Sequence, residues 1–444
     1  MIAITSSVEE SIGAPTAGTS SSRRRLYPWI VFGLAFALLL SDYMSRQVLS
    51  AVFPFLKADW SLTDSQLASL TSVVALMVGL LTLPISILAD RWGRVRSLVL
   101  MAVLWSVATL ACALAGGYEH MLIARFMVGV GEAAYGSVGI ALVLSVFAPQ
   151  VHAALAGAFM AGGSFGSVVG VSLGGVIATQ LGWRWSFAAM AVLGLLLAAA
   201  FKVLITERRL AKYQVRRPDG GVVVRRAPFS SLFTNPAVMC AYVGGGLQMF
   251  MAAVMLAWLP SFFNRTYDYP PARAAVVASV FVLLIATGMI GCGYIADRLS
   301  RNDITGKWTV GIGYCAIGFV CLMAAFRLDT GAGQLALLAI GAFFSAGSSG
   351  TTAAMVAGLT HQSVQASGMG TLTLANNLLG LALGPMVVGI LADHLGLLGA
   401  LQWAPLAYLP AAAAMLLGKR LHPRGLAKLQ TLDAATTIKS DEES

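Results

Sequence analysis

The chain has 444 residues, of which 58% are hydrophobic and only 11% charged, with a mean hydropathy of +0.79. A soluble protein carries charge on about a quarter of its residues, so a set of soluble domains is excluded. Long unbroken apolar runs such as Ser97 to Ala115 exclude a membrane β-barrel, whose strands alternate polar and apolar over about 10 residues. The net charge of +10 would suggest nucleic acid in a soluble chain. In an integral membrane protein it reads instead as Lys and Arg in cytoplasmic loops, with no nucleic-acid partner.

Residues 1–22 are rich in Ser, Thr and Gly, with no apolar signal-peptide core before Arg23-Arg24-Arg25; residues 1–26 are read as a disordered cytoplasmic tail. A spanning helix needs roughly 20 apolar residues, and twelve such runs follow. The first six lie near 28–51, 65–89, 97–116, 120–147, 151–179 and 185–206. The second six lie near 236–263, 273–296, 307–327, 333–358, 366–392 and 398–418. Thr63 followed by Gln66 predicts a capping box at the start of span two, and Asn235-Pro236 and Pro270-Pro271 mark further helix entries. The five cysteines (Cys112, Cys240, Cys292, Cys315, Cys321) fall inside apolar segments without metal-ligand spacing, and read as small core hydrophobes.

Loop charge orients the bundle. Arg23 to Arg25 precede span one, and Arg91, Arg94 and Arg96 follow span two. The 207–235 connection holds Arg208, Arg209, Lys212, Arg216, Arg217, Arg225 and Arg226. Arg298, Arg301 and Lys307 follow span eight, and Lys419, Arg420, Arg424 and Lys428 follow span twelve. The alternate loops are nearly balanced, as in Lys57 with Asp59 or Arg327 with Asp329. The positive-inside rule predicts both termini and 207–235 in the cytoplasm of a cell membrane. The expected organisation is a half at 27–206, a cytoplasmic linker at 207–235, a second half at 236–420 and a cytoplasmic tail at 421–444. The basic linker reads as a solvated topogenic loop, or more sharply as a site for anionic lipid headgroups.

The halves repeat. Ser86-Ile-Leu-Ala-Asp90-Arg91 recurs as Gly293-Tyr-Ile-Ala-Asp297-Arg298, 207 positions later. The span-five run Gly166, Gly170, Gly174, Gly175 and Gly182 recurs in span eleven as Gly380, Gly384-Pro385, Gly389 and Gly396, offset by 214. Two matches at nearly equal offset indicate structural repeats.

Ser86-Ile-Leu-Ala-Asp90-Arg91-Trp-Gly93-Arg94-Val-Arg96 resembles the signature loop of the major facilitator superfamily, with Ser86 where the family has Gly. Gly157-x8-Gly166-x3-Gly170-Val171-x2-Gly174-Gly175 resembles its span-five motif, with Val171 at the usual Pro. The resemblance implies an all-α membrane protein of twelve helices in two six-helix pseudo-symmetric halves, binding substrate between them near the midplane. Arg125-Phe-Met-Val-Gly129-Val-Gly131-Glu132-Ala-Ala-Tyr135 in span four resembles the spinster branch more narrowly. Span one departs from that branch: Ser45 stands at its usual acid position and Asp42 lies one turn earlier. The anion–cation symporter branch is the competing likeness.

Charge at bilayer depth is costly and usually faces a cavity or a partner. Asp42 and Arg46 are one turn apart and can meet on one helix. Arg125 and Glu132 lie about 10 Å apart on one helix face, too far to pair well, but each can meet a group from span one. Glu132 is the first candidate for proton coupling and Asp42 the second, with Arg125 and Arg46 as substrate or charge partners. The bland alternative is that all four only hold helices together. Tyr43, Tyr135, Gln248, Asn376 and Asn377 are candidate substrate contacts, set against simple packing or interhelical hydrogen bonding. Asp90, Arg91 and Arg94, with Asp297 and Arg298 as their repeat, form a candidate cytoplasmic latch, and Gly166, Gly170, Gly174, Gly175, Gly384 and Pro385 are assigned to helix packing.

The sequence has no phosphate-binding loop of the Gly-x4-Gly-Lys-Ser/Thr kind, no nucleophile–base constellation, no metal cluster among its five histidines, and no cofactor motif. An enzyme is therefore not expected. The reading is a proton-linked secondary transporter working by alternating access, acting as a monomer. The spinster likeness implies a lysophospholipid-like or other amphiphilic anion as substrate, and the symporter likeness a small organic acid anion. A passive lipid scramblase or channel would need a continuous polar groove, and the paired latch motifs argue against it.

Overall fold

A computed structural model of the chain describes residues 20–148, 151–211, 213, 227–301 and 305–438. The first nineteen residues of the expected tail and 212 and 214–226 of the linker lie outside the described residues, and with them most of the candidate headgroup site. Among the described residues every regular element is a helix. Spans one to three are α1 (Ser20–Trp60), α2 (Asp64–Trp92) and α3 (Arg94–Ala113). Span four is split into α4 (Tyr118–Glu132) and α5 (Tyr135–Ser145), and α6 (His152–Leu181) and α7 (Trp183–Leu204) complete the first half. Two short helices, α8 (Glu207–Ala211) and α9 (Ser231–Thr234), flank the linker.

The second half runs through α10 (Pro236–Thr266), α11 (Pro271–Leu299) and α12 (Gly306–Ala325). Its span ten is split like span four, into α13 (Ala332–Ser345) and α14 (Ser349–Leu359). Span eleven is α15 (Gln365–Ala375), a π-helical segment (Asn376–Ala382) and the first part of α16 (Leu383–Trp403). α17 (Tyr408–Ile438) is the last described helix. Among the described residues eleven stretches are long and apolar enough to cross a membrane, the last of them Ser367–Asp433. That stretch is two crossings, because Gly396 at φ 72° and ψ 161° breaks the helix. Twelve spans result. Gly182, the repeat counterpart of Gly396, makes the same break between spans five and six at φ 97°. Only glycine enters that region without steric cost.

The helix starts follow the local sequence. Gln66 N–H donates to Thr63 Oγ1 (3.2 Å) and Thr63 N–H to Gln66 Oε1 (3.0 Å), closing the capping box. Asn235 caps α10 by accepting from Ala237 N–H, with Pro236 in the first turn. α11 begins at Pro271 as expected. At the chain ends the helices run further than the tails predict, from Ser20 and to Ile438. The extended end of α17 is docked: Asn235 Nδ2 donates to Gly425 O (3.2 Å) and Lys428 Nζ to Thr234 O (2.8 Å).

Small residues set the packing, as helix association in lipid requires. A Cβ at Gly166, Gly170 or Gly174 would lie 2.4, 2.7 and 2.6 Å from Leu40 O, Met44 Cα and Val48 Cγ2, so α6 lies backbone-to-backbone on α1. The second half repeats the device, with Gly380 against Met249 and Gly384 against Phe250 O of α10. Pro385 is buried there, its carbonyl accepting from Trp258 Nε1 at 3.2 Å. The remaining pair joins the halves. Gly175 abuts Ala275 at the start of α11, and Gly389 abuts Ala68 and the Asp64 carbonyl at the start of α2. Both contacts lie at the end of the bundle that carries neither terminus, called here the far end.

Gly170→Leu should therefore abolish or sharply reduce the monodisperse protein recovered by size exclusion in detergent, because the obstructing atoms are backbone. Gly157→Ala, whose Cβ would meet nothing within 4 Å, should leave the yield unchanged.

Candidate functional site

The span-four motif acts first through its glycines. Gly129 admits Met77 and Val74 of α2, and Gly131 admits Trp105 of α3, at 2.6–2.9 Å from where a Cβ would stand. This close approach carries Arg125 and Glu132 to α1. Arg46 Nε and Nη2 both donate to Glu132 Oε2, at 3.0 and 2.7 Å. The Glu132 side chain is wholly buried, whereas that of Arg46 is 16% exposed. The Arg46 guanidinium also lies 5.3 Å from the Tyr43 ring centroid, within cation–π range. Arg46 thus turns its bonds across to span four, and not to Asp42 on its own helix.

Asp42 faces the same cluster. It is buried, near enough to Glu132 and Arg46 for its charge to act on both. Asp42 Oδ1 and Glu132 Oε1 find no donor among the described residues. Ser45 turns its hydroxyl to the Asp42 carbonyl at 2.8 Å, so Asp42 is the acid that span one presents. Arg125, fully buried, has a different role. Its Nε, Nη1 and Nη2 donate to the carbonyls of Leu70 (3.2 Å), Ser45 (3.2 Å) and Arg46 (3.3 Å), stapling α4 to α1 and α2. Both span-four charges meet groups of span one, as the helix spacing predicts.

The C-terminal half places neutral amides where the N-terminal half has charge. Gln248 is fully buried in α10 and bridges the break in span ten, accepting from Ser348 N–H (2.8 Å) and donating to Phe344 O (3.3 Å). Asn376 and Asn377 open the π-helical segment; Asn377 Nδ2 donates to Thr373 O (2.9 Å), and both Oδ1 atoms lack a donor among the described residues. Single π turns often occur at functional sites. Measured from the far end at 1.5 Å per residue, Arg46, Glu132, Asn377 and Gln248 all lie about 20–27 Å deep, near the middle of their spans.

Tyr43 is half-buried beside Arg46, against Gly163. Tyr135 is fully buried, its hydroxyl donating to Ala35 O (2.9 Å) and its ring edge-on to Trp105, an arrangement of helix packing. Of the candidate latch, the Asp90 side chain lies outside the described residues. Arg94 Nη1 donates to Ala141 O (3.3 Å), and Asp297 pairs with Lys307 (3.3 Å), each within its own half. Arg91 and Arg298 are exposed.

Three residues escaped sequence reasoning. Thr82 Oγ1 donates to Ala133 O (2.6 Å) and satisfies the broken turn of span four. Glu207 Oε1 accepts from Val95 N–H (3.0 Å) and caps the helix after the signature loop. Asp64, just outside the predicted span, is buried and paired with both Lys57 and Arg265. A lone acid in a helix's first turn, opposite basic residues at other span ends, was the available signal.

Twelve helices in repeated halves, with charge enclosed at mid-depth, define a membrane transporter. Residues 34–385 match the Major Facilitator Superfamily, and the chain belongs to it. Its relatives include the probable L-galactonate transporter of Escherichia coli (strain K12), 26% identical over 390 residues, covering 84% of this chain and 85% of that protein. The hexuronate transporter of Bacillus subtilis (strain 168) is 23% identical over 373 residues, covering 80% and 86%. Among solved structures, a bacterial homologue of the human lysosomal transporter Spinster, inward-facing and unoccupied, superposes with a TM-score of 0.80. It covers 90% of this chain and 98% of that one at 19% identity, so the likeness is one of fold.

Arg125→Lys keeps the charge but cannot bond carbonyls on two helices at once. It should cost about 2–3 kcal/mol, the worth of the charge-assisted bonds lost. In detergent its thermal midpoint should fall well below that of Arg46→Lys, which keeps a partner in Glu132.

Proposed function

We propose that this transporter is a proton-coupled symporter of a small organic acid anion, working by alternating access. The Arg46–Glu132–Asp42 cluster carries the reading. Two buried carboxyls beside one guanidinium repel each other unless one of them holds a proton. Arg46, the partly exposed cation at mid-depth, is held by Glu132. A proton on Glu132 removes the charge that holds Arg46 and leaves its guanidinium fork for a substrate carboxylate, which it matches in geometry. Proton binding thereby precedes anion binding, and neither moves alone.

The relatives support a small acid over the amphiphilic lipid anion that the spinster likeness implies. The probable L-galactonate and the hexuronate transporters match 84% and 80% of this chain. A gallate transporter of Pseudomonas putida is 26% identical over 347 residues. Asn376 and Asn377, whose Oδ1 atoms lack a donor among the described residues, suit the hydroxyls of a hydroxylated acid and would offer nothing to an acyl chain, while Gln248 is taken up by the span-ten break. Both termini are assigned to the cytoplasm, on the distribution of basic residues. The far end then faces outward.

In proteoliposomes with the external medium made acidic, sugar acids or hydroxylated aromatic acids should accumulate and lysophospholipids should not. Lysolipid accumulation alone would reverse the assignment. Glu132→Gln should abolish accumulation driven by the pH gradient while keeping substrate exchange at equal pH. If it still concentrates substrate as wild type does, Glu132 is structural and Asp42 becomes the proton site. For orientation, Ala58→Cys at the far end should react with an impermeant thiol reagent in intact cells, and Thr431→Cys on α17 only after lysis. The reverse pattern would overturn the topology.

A further inference from the structure

At the far end the two halves are tied by one buried carboxylate. Asp64, the first residue of α2, has a side chain only 4% exposed. Arg265 near the end of α10 holds it with both nitrogens, Nη1 to Oδ2 at 2.8 Å and Nη2 to Oδ1 at 2.7 Å. Lys57 of α1 adds a third bond at 2.7 Å. Asp393 of α16 completes the knot from the other side, accepting from the backbone N–H groups of Asp64 (2.6 Å) and Ser65 (3.1 Å). Asp64 and Lys57 belong to the first half, Arg265 and Asp393 to the second.

One layer deeper lies a buried aromatic contact between the same helices. Phe53 of α1 and Trp258 of α10 are both fully buried, with ring centroids 5.4 Å apart. A proline follows in each helix between the aromatic layer and the ion pair: Pro54 in α1 and Pro260 in α10. Each removes a helix hydrogen bond, so the segments carrying Lys57 and Arg265 have a built-in place to bend. The polar contacts described for the latch at the opposite end stay within one half: Arg94 with Ala141, Asp297 with Lys307.

We infer that Asp64 and Arg265, backed by Lys57, Asp393 and the Phe53–Trp258 contact, form the gate that closes the far end during the transport cycle. Opening separates Arg265 and Asp393 from α2 together. Lys57 stays with Asp64 and keeps the carboxylate paired while the halves are apart, so the charge is never left alone. The gate holds whichever substrate the transporter carries and does not rest on proton coupling.

Spin labels at Ala58 and Thr330, exposed far-end positions in opposite halves, test it without any substrate, with the unsubstituted chain as the labelling control. The wild type should give mainly one short distance. Arg265→Gln and Asp64→Asn should each add a longer population, with about a tenfold rise in the long-to-short ratio, as loss of a charge-assisted hydrogen bond implies. Arg265→Lys retains one bond and should fall between them. It serves as the readout should the harsher variants not be monodisperse. Lys57→Gln, which leaves the bond between halves intact, should keep the short distance. An unchanged distance distribution in monodisperse Arg265→Gln or Arg265→Lys protein would overturn the gate.

Discussion

The pairing of Arg46 with Glu132 exists because span four stops being helical at that residue. Glu132 is the last residue of α4, where the negative end of the peptide dipole opposes a carboxylate, and Arg46 offsets that opposition from the facing helix. Irregular backbone at membrane depth is tolerated only where protein groups satisfy it. Thr82 takes the Ala133 carbonyl, and Arg125 immobilises the rest of α4 through three backbone carbonyls. The break, its support and the charge are one construction.

The same construction recurs in the second half with the charge taken out. Span ten breaks between Ser345 and Ser349, and Gln248 from α10 satisfies the break as Arg46 meets span four from α1. The glycine contacts repeat at the offset seen in the sequence, Gly170 with Gly384 and Gly175 with Gly389, and so does the helix break, Gly182 with Gly396. Symmetry therefore governs backbone geometry, where duplicated packing must be kept. Side-chain chemistry at mid-depth is free to diverge, and it has placed ionisable groups in one half and neutral amides in the other.

Much of this was legible in the chain. Twelve spans followed from apolar runs, the starts of α2 and α10 from their caps, and a packing face on α6, though not its partner α1, from glycines four residues apart. Span four's charges were visible because charge is so rare in apolar surroundings. What the spacing could not give was the choice of partner. Arg46 has an acid one turn away in Asp42, yet bonds Glu132, because the side chain on a facing helix meets the guanidinium fork head-on. Tyr135 was ambiguous for a related reason: a tyrosine in a bundle can face a cavity or its neighbours, and only the contact with Ala35 decides. Asp64 was hidden because its value lies in pairing across 201 positions of sequence.

Site and gate share their helices. Along α1, Arg46, Phe53 and Lys57 succeed one another at two turns and then one, close to a single face. Along α10, Gln248, Trp258 and Arg265 run from the span-ten break to the far end. A group that draws Arg46 away from Glu132 changes what anchors the middle of α1, and above that anchor the helix carries half of the aromatic contact and Lys57. Pro54 limits how stiffly that change is passed on, and Pro260 does the same in α10. The cluster at mid-depth and the ion pairs at the far end are thus linked through two helices that can tilt as bodies and, between cluster and gate, bend at Pro54 and Pro260. Such an arrangement favours two discrete positions of the halves, because a buried Asp64 is stable either fully clamped or separated with Lys57 still in place.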